Sequence, residues 1–268
     1  MNQSRIEAIA GPLASAWREG GTVPLVADDL LPDGLQEAWR IQDALDERLD
    51  FELVGWKVGG TSRASMRALG VDHPPFLGRL YREFTKESPA RFRLADFRNA
   101  PMIEGEFAFR LGRDLPPRDA PYRESEVRDA VSAVIMAVDA VDTRWGVHPF
   151  DLPMLLGNAD NACAGAFVIG EVLDGWETLD LATLPVTLHL DGEPAGGPPW
   201  EGEKRCDLRE LYAALTWTAN ELSRRGLGLR AGEVVSTGSP HEPVAAVAGA
   251  QAVIRYGDVG EIRVTFEG

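Results

Sequence analysis

The sequence predicts an α+β protein, with a helical lead-in over residues 1–50 and a mostly β domain over residues 51–268. Three observations carry this expectation. Apolar residues recur at helical spacing near the start, and short β-rich runs broken by Gly and Pro dominate from Phe51 onward. The later helical stretches do not alternate with strands, which argues against a doubly wound nucleotide fold, and neither a GxGxxG nor a Walker pattern occurs.

In chain order, Ile6, Ile9, Leu13 and Trp17 form one helical stripe, stopped by Gly20-Gly21. Leu35, Trp39, Ile41, Leu45 and Leu49 form the next, with Asp33 expected as its cap. The runs 53–58, 102–111, 166–169, 186–190, 234–236, 252–255 and 261–266 read as strands. Two helices interrupt them, at about 124–134 and about 208–225, the second ended by Gly226. Arg230-Ala231-Gly232 and Tyr256-Gly257-Asp258 carry turn signals, and Leu115-Pro116-Pro117 and Gly197-Pro198-Pro199 read as surface loops.

Composition narrows the function classes. Acids outnumber bases 42 to 27, a net charge of −15 that repels nucleic-acid backbones and anionic membranes, and no basic patch offsets it. The longest apolar stretch, 131–141, is shorter than the roughly 20 residues of a membrane span and contains Asp139. The start lacks the basic-then-apolar order of a secretory signal, and Cys163 and Cys206 form no CxxC pair; the expectation is a cytoplasmic protein. No GxSxG elbow supports a serine hydrolase, and His73, His148, His189 and His241 have no metal-ligand spacing.

The clearest chemical feature is Glu104-Gly105-Glu106-Phe107-Ala108-Phe109. Strand alternation puts Glu104 and Glu106 on one face, roughly 6–7 Å apart along the strand, where they either grip one cation or form a solvated edge. Asp139 lies in an otherwise apolar segment, 133–141, where an unpartnered carboxylate would cost several kcal/mol. A metal, Arg144 or a set of backbone donors would each offset that. If the three acids meet, they leave part of a hard-cation shell open for water and substrate. Lys57 sits between apolar neighbours before Gly59-Gly60. Burial and a nearby cation would both lower its pKa toward neutrality, while a snorkelling or ion-paired lysine remains the plainer alternative.

Taken together, Gly55-Trp56-Lys57-Val58-Gly59, the E-x-E strand, Asp139-Ala140-Val141-Asp142-Thr143-Arg144, Asp160-Asn161-Ala162 and Val234-Val235-Ser236-Thr237-Gly238-Ser239 resemble a known group. It is the 2-keto-4-pentenoate hydratase and 4-oxalocrotonate decarboxylase group of the fumarylacetoacetate hydrolase superfamily. The resemblance runs from about residue 35 to the C-terminus. It implies a mixed β-sandwich or β-roll after the helices, and Mg²⁺ or Mn²⁺ held by Glu104, Glu106 and Asp139. It also implies Lys57 as proton shuttle, substrate contacts from Leu80, Asp160 and Thr237, and a homo-oligomer. The implied reaction hydrates a 2-hydroxy-2,4-dienoate to a 4-hydroxy-2-oxo acid in aromatic-compound catabolism. Decarboxylation of a 4-oxalocrotonate-type 2-oxo acid is the nearest alternative. An acylpyruvate-type C–C hydrolase ranks lower, because no histidine precedes His73. A non-catalytic partner subunit sits poorly with Lys57 and the E-x-E strand. Two positions depart from the hydratase pattern: Asp139 stands where Glu is usual, and Cys163 where Ser is usual.

Overall fold

A computed structural model describes residues 2–63, 66–67, 70–181, 183–196 and 208–268. Cys206 and the Gly197-Pro198-Pro199 loop lie outside them. Helices α1 (Gln3–Glu19) and α2 (Leu35–Asp46) open the chain. Ile6, Ile9, Leu13 and Trp17 form the buried stripe of α1, and Gly20 ends it at φ 84°. The expected cap of α2 is not used: Gly34 is the capping residue, and the backbone N–H of Asp33 donates to the Glu37 carboxylate at 2.9 Å. That bond ties the chain before the cap to the first turn, and the first-turn acid also suits the helix N-terminus.

Thirteen strands follow among the described residues. They are β1 (Leu53–Gly59), β2 (Phe76–Tyr81), β3 (Thr85–Glu87), β4 (Ala90–Arg93), β5 (Met102–Leu111), β6 (Val131–Val141), β7 (Ala164–Val172), β8 (Val186–Leu190), β9 (Glu193–Ala195), β10 (Val234–Ser236), β11 (Val244–Ala245), β12 (Gln251–Tyr256) and β13 (Gly260–Glu267). Between them lie α3 (Glu124–Arg128), α4 (Met154–Ala159) and α5 (Leu208–Arg224). After α5 the turn at Gly226, φ 73°, stops the helix as the sequence predicts.

One sheet has the order β2-β1-β10-β5-β6-β7-β3, with β11 also on β5; the other has the order β4-β13-β12-β8-β9. They pack face to face through Ile103, Phe107, Phe109, Met136 and Val138 on one side and Ile254, Tyr256, Ile262 and Phe266 on the other. The larger sheet rolls, bringing β2 near β7. Its concave face holds a second apolar cluster of Leu80, Ala108, Ile135, Ala137 and Phe167.

The helix expected at 124–134 ends at Arg128, and Val131–Val141 is a strand. Both faces of β6 are buried, one against the second sheet and one inside the roll. It therefore shows a continuous apolar run with no alternation to mark it as β. The short strands β2, β3, β4, β9 and β11 were not legible as strands either.

The N-terminal helices close one end of the roll. Ile9, Leu13, Trp17, Ile41 and Leu45 share a core with Tyr81, Trp145 and Leu156. Gln42 of α2 donates to the carbonyls of Leu77 and Asn158 at 2.8 and 3.0 Å, tying α2 to β2 and α4. No helix among the described residues is long and apolar enough to cross a membrane.

Candidate active site

Glu104 and Glu106 leave β5 on the same face, and the β5–β6 register sets Glu104 directly opposite Asp139. Like charges opposite each other destabilise an antiparallel pair, so folding alone does not favour this arrangement. Lys57 reaches in from β1, its Nζ 2.5 Å from Asp139 Oδ2. One carboxylate oxygen from each of the three acids lies within 4.8 Å of the others. They line a cavity of about 350 Å³ together with Phe76, Val141, Phe150 and Met154.

Glu106, Asp139 and Lys57 are buried, and Glu104 is half-buried. Burial pushes the Glu106 carboxyl well above the usual carboxylate range, and Asp139 and Glu104 push it further. Burial also raises Asp139, against the pull of Lys57. The expected fall in the Lys57 pKa does not occur. Burial does press it down, but Asp139, Glu104 and Glu106 together outweigh that and hold the ammonium charged. Asp139 Oδ2 accepts no well-directed hydrogen bond even though the ammonium is close. Three carboxylates against one ammonium leave the pocket short of positive charge. Hard oxygen donors grouped in this way could hold a divalent metal ion.

The strand carrying the glutamates is fastened from behind. His241 Nε2 accepts the Gly105 N–H at 2.9 Å, and His241 Nδ1 lies 2.8 Å from the Glu242 carbonyl; a neutral ring protonated at Nδ1 satisfies both. Burial lowers the His241 pKa, in keeping with that neutral form. A Cβ on Gly105 would come within 2.8 Å of His241 Nε2 and 2.6 Å of Ile254, which explains the glycine between the two acids. The Gly238 N–H donates to Glu106 Oε2 at 3.2 Å. His241, marked in the sequence only by the lack of metal-ligand spacing, gave no signal of this role.

Three expected substrate contacts are not brought to the cavity wall among the described residues. Leu80 packs in the apolar cluster below the acids. The Thr237 hydroxyl donates to the Phe107 carbonyl at 2.9 Å, and the Thr237 carbonyl accepts from Thr61 Oγ1 at 2.7 Å. Asp160 accepts from Trp17 Nε1 at 2.8 Å, from Thr143 Oγ1 at 2.6 Å and from the Arg144 N–H at 2.5 Å. Arg144, offered by the sequence as a partner for Asp139, instead lies 3.3 Å over the Trp17 ring and donates to the Ala164 carbonyl. What does reach the cavity from this motif is Ala162 and Cys163, carried by consecutive left-handed residues at φ 55° and 54°. That turn is clamped by Asn161, whose side chain bonds both backbone groups of Arg79 at 2.7 and 2.9 Å. Gly78 lets it approach, since a Cβ there would lie 2.4 Å from the Asn161 carbonyl.

Two packed sheets, a rolled acid-lined interior and covering helices define an α+β fold, and similarity to known proteins places it. The family described as fumarylacetoacetate (FAA) hydrolase, C-terminal, matches residues 82–267. The chain is 30% identical over 273 residues to 2-keto-4-pentenoate hydratase of Paraburkholderia xenovorans (strain LB400), covering 100% of this chain and 97% of the relative. It is 32% identical over 252 residues to 2-hydroxyhexa-2,4-dienoate hydratase of Comamonas testosteroni, covering 91% and 90%. Among solved structures, the 4-oxalocrotonate decarboxylase of Pseudomonas putida G7, complexed with magnesium and adipate, superposes with a TM-score of 0.83 at 24% identity over 99% of this chain and 98% of that one. The chain belongs to the fumarylacetoacetate hydrolase family, and it is an enzyme of hydro-lyase type.

Proposed function

We propose that the protein is a divalent-metal-dependent hydratase converting a 2-hydroxy-2,4-dienoate to a 4-hydroxy-2-oxo acid in aromatic-compound catabolism. The observation that carries this is the convergence of Glu104, Glu106 and Asp139 beside Lys57 in one largely apolar cavity. The three carboxylates would hold Mg²⁺ or Mn²⁺, whose charge stabilises the negative charge that develops on a chelating 2-oxo acid. Lys57, kept protonated by its acidic neighbours, gives a proton to C5 of the dienol while the 2-hydroxyl loses its own, leaving a conjugated enone. Water then adds at C4 while Lys57, the shuttle, passes a proton to C3, so the net change is one water gained. The names of the full-length relatives support hydration over decarboxylation. A cytoplasmic homo-oligomer completes the reading, and sedimentation velocity checks the assembly.

The test is incubation with 2-hydroxypenta-2,4-dienoate and Mg²⁺, with NMR detection of 4-hydroxy-2-oxopentanoate. Loss of product on chelation is expected. Carbon dioxide release from 4-oxalocrotonate without hydration of the dienol would replace this reading with the decarboxylase. Lys57→Ala should slow solvent-deuterium entry at C3 of a 2-oxo acid by about 100-fold or more, and unchanged exchange would remove Lys57 from proton transfer.

A further inference from the structure

The cavity is strongly asymmetric. Among the described residues, its four charged side chains, Lys57, Glu104, Glu106 and Asp139, belong to the acid cluster. Away from them, the described lining is apolar or small, led by Phe76, Val141, Pro149, Phe150, Leu152 and Met154. Phe150 is 57% exposed, so its ring stands at the rim with one side open to an incoming group. Two buried arginines among the described residues are committed elsewhere. Arg79 is paired with Asp43 at 2.7 Å and Asp46 at 3.2 Å, and Arg144 is turned to Trp17 and the Ala164 carbonyl. Lys57 already lies against Asp139.

We propose that this site selects 2-oxo acids and dienols whose far end is uncharged and apolar, and discriminates against those ending in a second carboxylate. The inference rests on reading the cavity as a 2-oxo acid site. The substrate's own carboxylate and 2-oxo group occupy the charged end, so its tail must lie along the Phe76–Phe150–Met154 wall. An alkyl tail there exchanges water for carbon contacts. A terminal carboxylate there would lose hydration with no ammonium or guanidinium among the described lining residues to replace it, in a chain whose net charge is −15. Discrimination comes from the group left without a partner rather than from shape.

Calorimetric titration of the Mg²⁺-loaded protein with 2-oxohexanoate and with 2-oxoadipate separates the two tails at equal carbon number. At least about ten-fold tighter binding of 2-oxohexanoate is expected, the scale of discrimination that such contacts provide. Equal or tighter binding of 2-oxoadipate overturns the proposal, and so does failure of both to bind. Phe150→Arg places a cation on the exposed rim and should shift the ratio toward 2-oxoadipate by about ten-fold; an unchanged ratio removes Phe150 from the selecting wall. Preferential binding of 2-oxohexanoate without hydration of any dienol would refute the hydratase reading and leave tail selection standing. Hydration with no preference between the tails would do the reverse.

Discussion

Asp139, inside β6, and Asp160, in the turn before β7, are both fully buried acids, yet their surroundings are opposites. Asp160 is a saturated acceptor: an indole, a hydroxyl and a backbone N–H point at it, and Arg144 adds a compensating charge. Asp139 faces Glu104 across the sheet with Glu106 close by, and has one ammonium for company. A buried carboxylate with its donors in place fastens a fold. A cluster of carboxylates left short of positive charge is paid for by other parts of the fold and is suited to a cation that arrives later. Burial alone does not distinguish a functional acid from a structural one; the count of donors does.

The sharpest way to break this contrast is to remove one acid from each environment. Glu106→Ala should abolish metal-dependent turnover and weaken divalent-ion binding by more than the roughly 10–100-fold typical of outer-shell changes. Calorimetry with Mg²⁺ reads the binding. In the same variant, urea unfolding without metal should show no loss of stability, because one carboxylate fewer relieves repulsion in the cluster. Asp160→Ala should do the opposite. It leaves the Thr143 hydroxyl, the Arg144 N–H and the Trp17 indole without their acceptor, and should cost roughly 3–5 kcal/mol in urea unfolding. If Glu106→Ala destabilised the metal-free protein as much as Asp160→Ala, the distinction between fastener and ion site would be wrong.

His241 lies between the two cases, a donor-acceptor fastener serving the ion site. His241→Ala should lower divalent-ion affinity about ten-fold by freeing the Gly105 backbone between the glutamates, with a stability loss of about 1–2 kcal/mol. His241→Gln, which keeps an acceptor for that N–H, should recover part of the affinity. Equal affinity in all three proteins would show that β5 holds its glutamates without this support.

Why the sequence revealed one of these sites more fully than the other follows from the same physics. Glu104 and Glu106 share a face by strand alternation alone, and Asp139 stood out because an acid inside an apolar run needs a reason. The helices of residues 3–46 were legible from their 3.6-residue stripes. By contrast, β6 hid its strand character because both faces are covered, and β2 to β4 are held by long-range pairing that local pattern does not encode. Asp160 was expected at the substrate on the family resemblance alone, its small polar segment suiting a turn equally well. Only the fold brings Trp17 and Thr143 to it, and turns the chain so that Ala162 and Cys163 meet the cavity in its place. His241 acts through a hydrogen bond 136 residues away in sequence, which no spacing rule reaches.

The smallest expected effect probes the boundary between the two regions at Cys163, which lines the cavity while lying next to the Asp160 fastening. Burial, and after it the Asp160 carboxylate, push this thiol up to about 12, with Lys57 and Arg144 pulling weakly the other way. At pH 8 only about one molecule in ten thousand would then carry the thiolate, so iodoacetamide should modify Cys163 far more slowly in the native protein than in urea. Peptide mass mapping reads the site. The folded thiol keeps its proton to higher pH than the unfolded one, so the stability that this group contributes falls as pH rises from the ordinary thiol range toward 12. Asp160→Asn removes the second cause and should raise the labelling rate by about threefold. No change would mean that burial alone sets the thiol's reactivity and that the Asp160 fastening does not reach electrostatically into the cavity.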